Sequence, residues 1–213
     1  MSAPKYLTQD QLKAFFQAIK KERRRVLRTR DLALFQLSYL CGLRIGEAAG
    51  LRLDDLHLDE GLLMVRRLKR KQFKDGKPLE KKKGPVISPC LLTVEAKRAL
   101  LDWLKLRGQF KVAQTNPFIF INRLAGESDH LTTTALYLRF KKVAQTAGIA
   151  GRSPHSLRHS CAIMMARAGM NAFDIQDRLG HVSSSSTEHY VKFFGKEAEE
   201  RSRKINKALE IGL

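Results

Sequence analysis

A phenol, two imidazoles and a guanidinium lie close together in the run SPHSLRHSCAIMMARAGMNAFDIQDRLGHVSSSSTEHY, from Ser153 to Tyr190. The Tyr190 phenol attacks well and also leaves well, because its reference pKa of about 10 lies far below that of an alcohol. His155 and His181 can relay or donate protons near neutral pH. Arg158 can hold two phosphate oxygens at once, a geometry that an ammonium point charge does not match. Together these groups suit attack on a phosphate, in which negative charge builds up on the non-bridging oxygens. Upstream, Arg44 offers a second guanidinium, with Glu47 three residues on and within reach of it on a short helix.

Each of these residues also has an ordinary structural use. His155 can assist a helix cap, Arg158 can be a surface cation, His181 can fill a turn, and Tyr190 can be a half-buried aromatic. Arg44 can be a capping arginine with a local salt bridge. The histidines allow a zinc reading as well, with His155 and His159 spaced i, i+4 and Cys161 or His181 as a further ligand. Against zinc, the glutamate of an H-E-x-x-H motif is missing, and Ser156-Leu157-Arg158 sets a cation between the ligands.

The order of the motifs separates these readings. H-x-x-R-H at a helix start, then L-G-H, then a tyrosine nine residues later resembles the C-terminal signature of the tyrosine recombinases, the family of the phage integrases. G-L-R-x-x-E at Gly42–Glu47, followed by an L-x-x-x-D segment, resembles the part that carries the first catalytic arginine of that family. The resemblance covers roughly Pro4 to Phe194. It implies a mainly α (α+β) catalytic domain with a small antiparallel sheet, which cleaves and rejoins DNA strands through a 3′-phosphotyrosyl intermediate without metal or cofactor.

The same resemblance implies roles. Tyr190 is the nucleophile, Arg44 and Arg158 clamp the phosphate, His155 relays the proton, and His181 donates to a phosphate oxygen. Glu47 supports the site by orienting its cations, and His159 falls on a mostly structural position. The family also carries a catalytic lysine on a hairpin, as the acid for the departing 5′-oxygen. V-R-R-L-K places Lys69 where the lysine of the shorter Fim-type invertases falls, with Lys71 as a rival. The expected partner is double-stranded DNA, with self-association into dimers or tetramers on it. Two readings stay open beside this one: a basic DNA-binding module of the same fold that has lost the reaction, and relaxation of DNA in the manner of a type IB topoisomerase.

Composition agrees with a polyanionic partner. The 213 residues carry 40 Lys plus Arg against 21 Asp plus Glu, a net charge of +19, an excess that steers nucleic acid. No apolar run approaches the ~18 residues of a membrane span, and no signal peptide is visible. Cys41, Cys90 and Cys161 are an odd number without metal-like spacing and read as reduced core residues of a cytoplasmic protein. The expected organisation is one domain over residues 1–213, with a core of about 4–194 and a tail helix in 195–213. The extra N-terminal helical domain of most family members is expected to be absent.

The elements that must position these groups follow from periodicity. Thr8 with Gln11 forms a capping box, and Leu12, Phe15, Phe16 and Ile19 continue a helical stripe. The cations from Lys20 to Arg30 read equally as a solvated face or as a track for phosphates. Asp31 to Leu40 is apolar nearly all round and predicts a buried central helix, which Gly42 can end in the left-handed conformation. Strands are predicted at residues 56–58, 62–68 and 84–88. Between Arg66 and Lys83, 10 of 18 residues are Lys or Arg, and Arg66, Arg67, Arg70, Lys71, Lys74, Lys81, Lys82 and Lys83 are read as DNA contacts.

Further on, helices are expected at residues 91–107, 132–147 and 153–168, with a short apolar run at 118–121. The Ser153 helix has Ser153 as cap and Pro154 in its first turn. At ~100° per residue it turns Leu157, Cys161, Met164 and Ala168 inward, with His155 and Arg158 on a face turned away. A second helix, capped by Asn171, ends at Gly180 and presents His181. The tail helix, with Ala198, Ile205 and Leu209 on one side, is expected to dock on a neighbouring protomer.

Overall fold

Thr8 starts the chain's first helix as its sequence dictates: its hydroxyl accepts the Gln11 N–H at 3.2 Å while the Gln11 side chain accepts the Thr8 N–H at 3.1 Å. The structure, a computed structural model, describes residues 5–67, 73–74, 77–78, 86–122, 130–180, 203–204, 207 and 209. Among these the helices are α1 (Gln9–Lys20), α2 (Arg25–Leu40), α3 (Ile45–Ala49), α4 (Val94–Arg107), α5 (Thr133–Thr146), α6 (His155–Arg167) and α7 (Ala172–Leu179). The strands are β1 (Leu56–His57), β2 (Leu62–Arg67), β3 (Phe73–Lys74), β4 (Lys77–Pro78) and β5 (Val86–Leu91). The expected fold class is what the chain adopts: mostly helical, with a small antiparallel sheet in the order β1-β2-β5. No helix among the described residues is long and apolar enough to cross a membrane.

α2 is the axis of the fold. From Ala33 to Leu40 every residue is buried, and the helix packs on α4, α6, α1 and α3. The one buried charge on it, Asp31, is offset by Arg30 at 2.7 Å and by the Arg139 guanidinium of α5. Phe15, Phe35 and Phe140 close the space between α1, α2 and α5 with ring centroids 4.9–5.9 Å apart, a spacing that favours offset and edge contacts. All three cysteines are buried and free.

Three boundaries differ from the sequence reading, each for a local reason. The returning strand, expected to stop at 88, runs on to Leu91, because pairing with β2 continues until Leu91 meets Leu62. α4 therefore starts at Val94 rather than 91, capped by the Thr93 hydroxyl, which accepts the Ala96 N–H at 3.1 Å. α6 begins at His155, and Ser153 serves it through its carbonyl, which accepts the Ser156 N–H at 2.9 Å and the Ser156 hydroxyl at 2.7 Å.

α6 is also buried more completely than an amphipathic helix. Ser160 is inaccessible because its hydroxyl accepts the Leu7 N–H at 2.8 Å, so the segment before α1 covers that side. On another side the Gly42 turn and α3 cover Arg158, which was expected on a face turned away from the core and is only 4% exposed, whereas His155 is exposed as expected. At the other end of the chain, Leu209 lies in the protein's own core, and its carbonyl accepts the Tyr39 hydroxyl at 3.3 Å.

Candidate active site

Glu47 is the centre of the cluster. Its carboxylate, buried in α3, accepts the Arg44 backbone N–H at 2.8 Å through Oε2 and Arg44 Nη1 at 2.6 Å through Oε1. Arg44 thus stands at the N-cap of α3 with its side chain pinned by its own helix. Arg67 Nη1 donates to Glu47 Oε2 at 3.3 Å, and Arg158 Nη1 lies 3.8 Å from the same oxygen. Arg158 Nη1 also donates to the Gly42 carbonyl at 2.5 Å. The left-handed turn predicted at Gly42, φ +62°, aims that carbonyl at α6.

Three guanidiniums against one carboxylate leave two positive charges uncompensated. No other carboxylate is ion-paired with Arg44, Arg67 or Arg158 among the described residues. Burial by itself would raise the Glu47 carboxyl, but the Arg44 N–H and the Arg67 and Arg44 guanidiniums outweigh it and hold the group below its ordinary range. Burial first, and then the Arg44 charge, push the Arg158 guanidinium down to about 10. Arg44 Nε, Arg67 Nη2 and Arg158 Nη2 are buried without a hydrogen-bond partner among the described residues. Buried donors left unpaired are costly, and an oxyanion would satisfy them.

Arg44 links the cluster to His155. Arg44 and His155 border one cleft of about 400 Å³, walled on the far side by Thr133, Thr134 and Tyr137 of α5. His155 meets His159 edge to face, with ring centroids 4.8 Å apart. Cys161, the third partner of the zinc reading, is fully buried on the inner side of α6 while His155 is exposed, so the helix separates them. α7 is capped by Asn171, whose side chain accepts the Asp174 N–H at 2.9 Å, and is closed by Gly180 with φ +60° and ψ +44°.

A model of the phage integrase family matches residues 5–196. The chain belongs to this family, the tyrosine recombinases. The type 1 fimbriae regulatory protein FimE of Escherichia coli K12 is 31% identical over 216 residues, covering 99% of this chain and 98% of FimE. The tyrosine recombinase XerA of Pyrococcus furiosus is 28% identical over 203 residues, covering 95% of this chain and 62% of XerA. The chain therefore spans about three-fifths of the length of its XerA relatives. Two solved structures share the fold: XerA, with a TM-score of 0.66 at 24% identity over 94% of this chain and 64% of that one, and XerH bound to its difH substrate in a pre-cleavage complex, with a TM-score of 0.65 at 24% identity over 93% of this chain and 53% of that one.

For this recombinase-family chain, the structure brings together four of the residues named from sequence: Arg44, Glu47, His155 and Arg158. Lys69, His181 and Tyr190 lie outside the described residues, as do Arg70, Lys71, Lys81, Lys82, Lys83 and the side chain of Lys74. Arg66 faces outward and is 45% exposed, with Nη2 at 2.9 Å from Asp55 Oδ1. Arg67 corrects the sequence reading. Grouped there with the DNA-contacting cations, it is 5% exposed and turned to Glu47. The signal was present in the alternation of β2, which puts Leu63, Val65 and Arg67 on the inner face.

Proposed function

We propose that this chain is a site-specific DNA recombinase whose cluster of Arg44, Arg158 and Glu47 receives the scissile phosphate. The observation that carries the reading is the set of buried guanidinium donors, built around one carboxylate, that have no partner among the described residues, with Arg44 of that set bordering the His155 cleft. The near full-length match to FimE and the family match over residues 5–196 support it. Tyr190 attacks the phosphorus, the phosphate becomes a 3′-phosphotyrosine, and the 5′-oxygen leaves as a hydroxyl. Attack on that linkage by the 5′-hydroxyl of another strand releases Tyr190 and rejoins the DNA, so bond energy is conserved throughout.

Each remaining residue has a task in this scheme. Arg44 and Arg158 meet the charge of the five-coordinate transition state, where buried and fixed donors act more strongly than in water. Glu47 fixes their direction. His155 takes the phenol proton, His181 donates to a non-bridging oxygen, and Lys69 protonates the 5′-oxygen. The chemistry requires no metal, and copies of the chain assemble on double-stranded DNA to exchange strands.

The test is covalent capture. A nicked duplex, selected from a randomised pool by the wild-type chain, should yield a slower-migrating protein–DNA band in EDTA. Tyr190→Phe should abolish the band. An EDTA-sensitive band, or one that survives Tyr190→Phe, would instead indicate a metal-dependent nuclease.

A further inference from the structure

Arg67 of β2 is buried and keeps its side chain inside the protein. Its Nε donates to Ser88 Oγ of β5 at 2.5 Å, and its Nη1 donates to Glu47 Oε2 at 3.3 Å. Its flat face lies against Gly180. A Cβ at that position would stand 2.0 Å from Arg67 Nε and 2.2 Å from Cζ. Gly180 is thus required twice, by its φ of +60° and by the guanidinium beneath it. One planar group touches both the carboxylate that holds Arg44 and the turn that leads directly into His181.

Packing alone does not account for an arginine here. Leu63 and Val65 on the same inner face are apolar and fully buried, and a buried cation whose Nη2 has no partner among the described residues costs more than a hydrophobic residue of similar volume. Residues that break such a rule concentrate at functional sites. We propose that Arg67 is a positioning residue of the phosphate site, a strut that sets the orientation of Glu47 on one side and the Gly180 turn on the other. The proposal rests on the reading of Arg44 and Arg158 as the phosphate clamp. It assigns the strand before Lys69 a direct part in assembling the site, in place of the DNA contact that its sequence suggests.

The experiment separates binding from reaction. DNA affinity is measured by fluorescence anisotropy over a salt series, and covalent complex formation is measured in single turnover at saturating DNA, both with the selected nicked duplex. Arg67→Lys, Arg67→Met and Arg67→Ala are compared with wild type, with circular dichroism melts to check folding. Ser88→Ala, which removes only the Nε partner, stands in should Arg67→Met fail to fold. The expected result is affinity within about twofold and an unchanged salt slope, with covalent complex formation slowed by about 10–100-fold, the usual span for groups that orient a site from behind. Arg67→Lys should remain slow, because an ammonium cannot bridge Ser88 and Glu47 while lying flat on Gly180. Free guanidinium ion should restore part of the rate in Arg67→Ala. Weakened affinity with a shallower salt slope and a normal rate would make Arg67 a DNA contact and overturn the proposal. Folded variants with unchanged rate and affinity would reduce it to a packing residue. A wild-type chain that forms no covalent complex would overturn the recombinase reading, and this proposal with it.

Discussion

Glu47 holds three cations and is the residue on which the cluster stands. Glu47→Gln leaves those charges without an anion, and breaking a buried pair from one side costs about 3–5 kcal/mol. Chemical denaturation should show a loss of that order. The pH dependence has a definite sign. The folded carboxyl lies below its ordinary 4.5, so its contribution is complete above the unfolded value and disappears as pH falls through the folded value. Acid titration of stability should therefore be less steep in Glu47→Gln below about pH 4.5 than in wild type. The same scale decides between Lys69 and Lys71. Lys69→Ala should slow cleavage by about 10²–10⁴-fold and regain most of it on a 5′-bridging phosphorothiolate, whose sulfur leaves without a proton. Rescue of Lys71→Ala instead would move the general acid two residues along the sequence and leave the rest of the mechanism intact.

At the scale of elements, the helices were legible because periodicity and caps agree. Thr8 with Gln11, Thr132 and Asn171 all cap as their types predict, and Gly42 and Gly180 take the left-handed turns expected of them. Arg44, His155 and Arg158 were legible through the order of their motifs. What could not be read was burial set by distant segments. Arg158 sinks because the Gly42 carbonyl, 116 positions away, accepts its Nη1 at 2.5 Å, a contact that the stripe of α6 does not announce. The inward turn of Arg67 was written in the alternation of β2 but masked by the density of charge around it. The tail was expected on a neighbour, yet Leu209 is fully buried in its own chain beneath Tyr39. Removing residues 203–213 should therefore lower the thermal midpoint of the free protein, with a loss of about 1.5–3 kcal/mol for one buried leucine. An unchanged melt would mean that the buried leucine adds nothing to the free chain.

For the whole molecule, the charge of +19 is distributed between two tasks. Arg44, Arg67 and Arg158 are turned inward to the cluster, while cations such as Arg24, with its side chain 62% exposed, face solvent. If about six phosphates are neutralised, log affinity for duplex DNA should fall with log salt at a slope near −5. Tight binding with a shallow slope would show that base contacts dominate instead. The scaffold that carries both tasks also contains its own reporter. Trp103 is the sole tryptophan of the chain. It is fully buried in α4, stacked on Phe120 at 6.3 Å, with its indole N–H given to the Ile119 carbonyl at 2.9 Å. Neither α4 nor the run around Phe120 supplies a residue to the cluster at Glu47. Emission from this one indole therefore follows the intactness of the scaffold and is silent to substitutions at the guanidiniums, so an inactive variant with a wild-type spectrum has lost its chemistry rather than its fold.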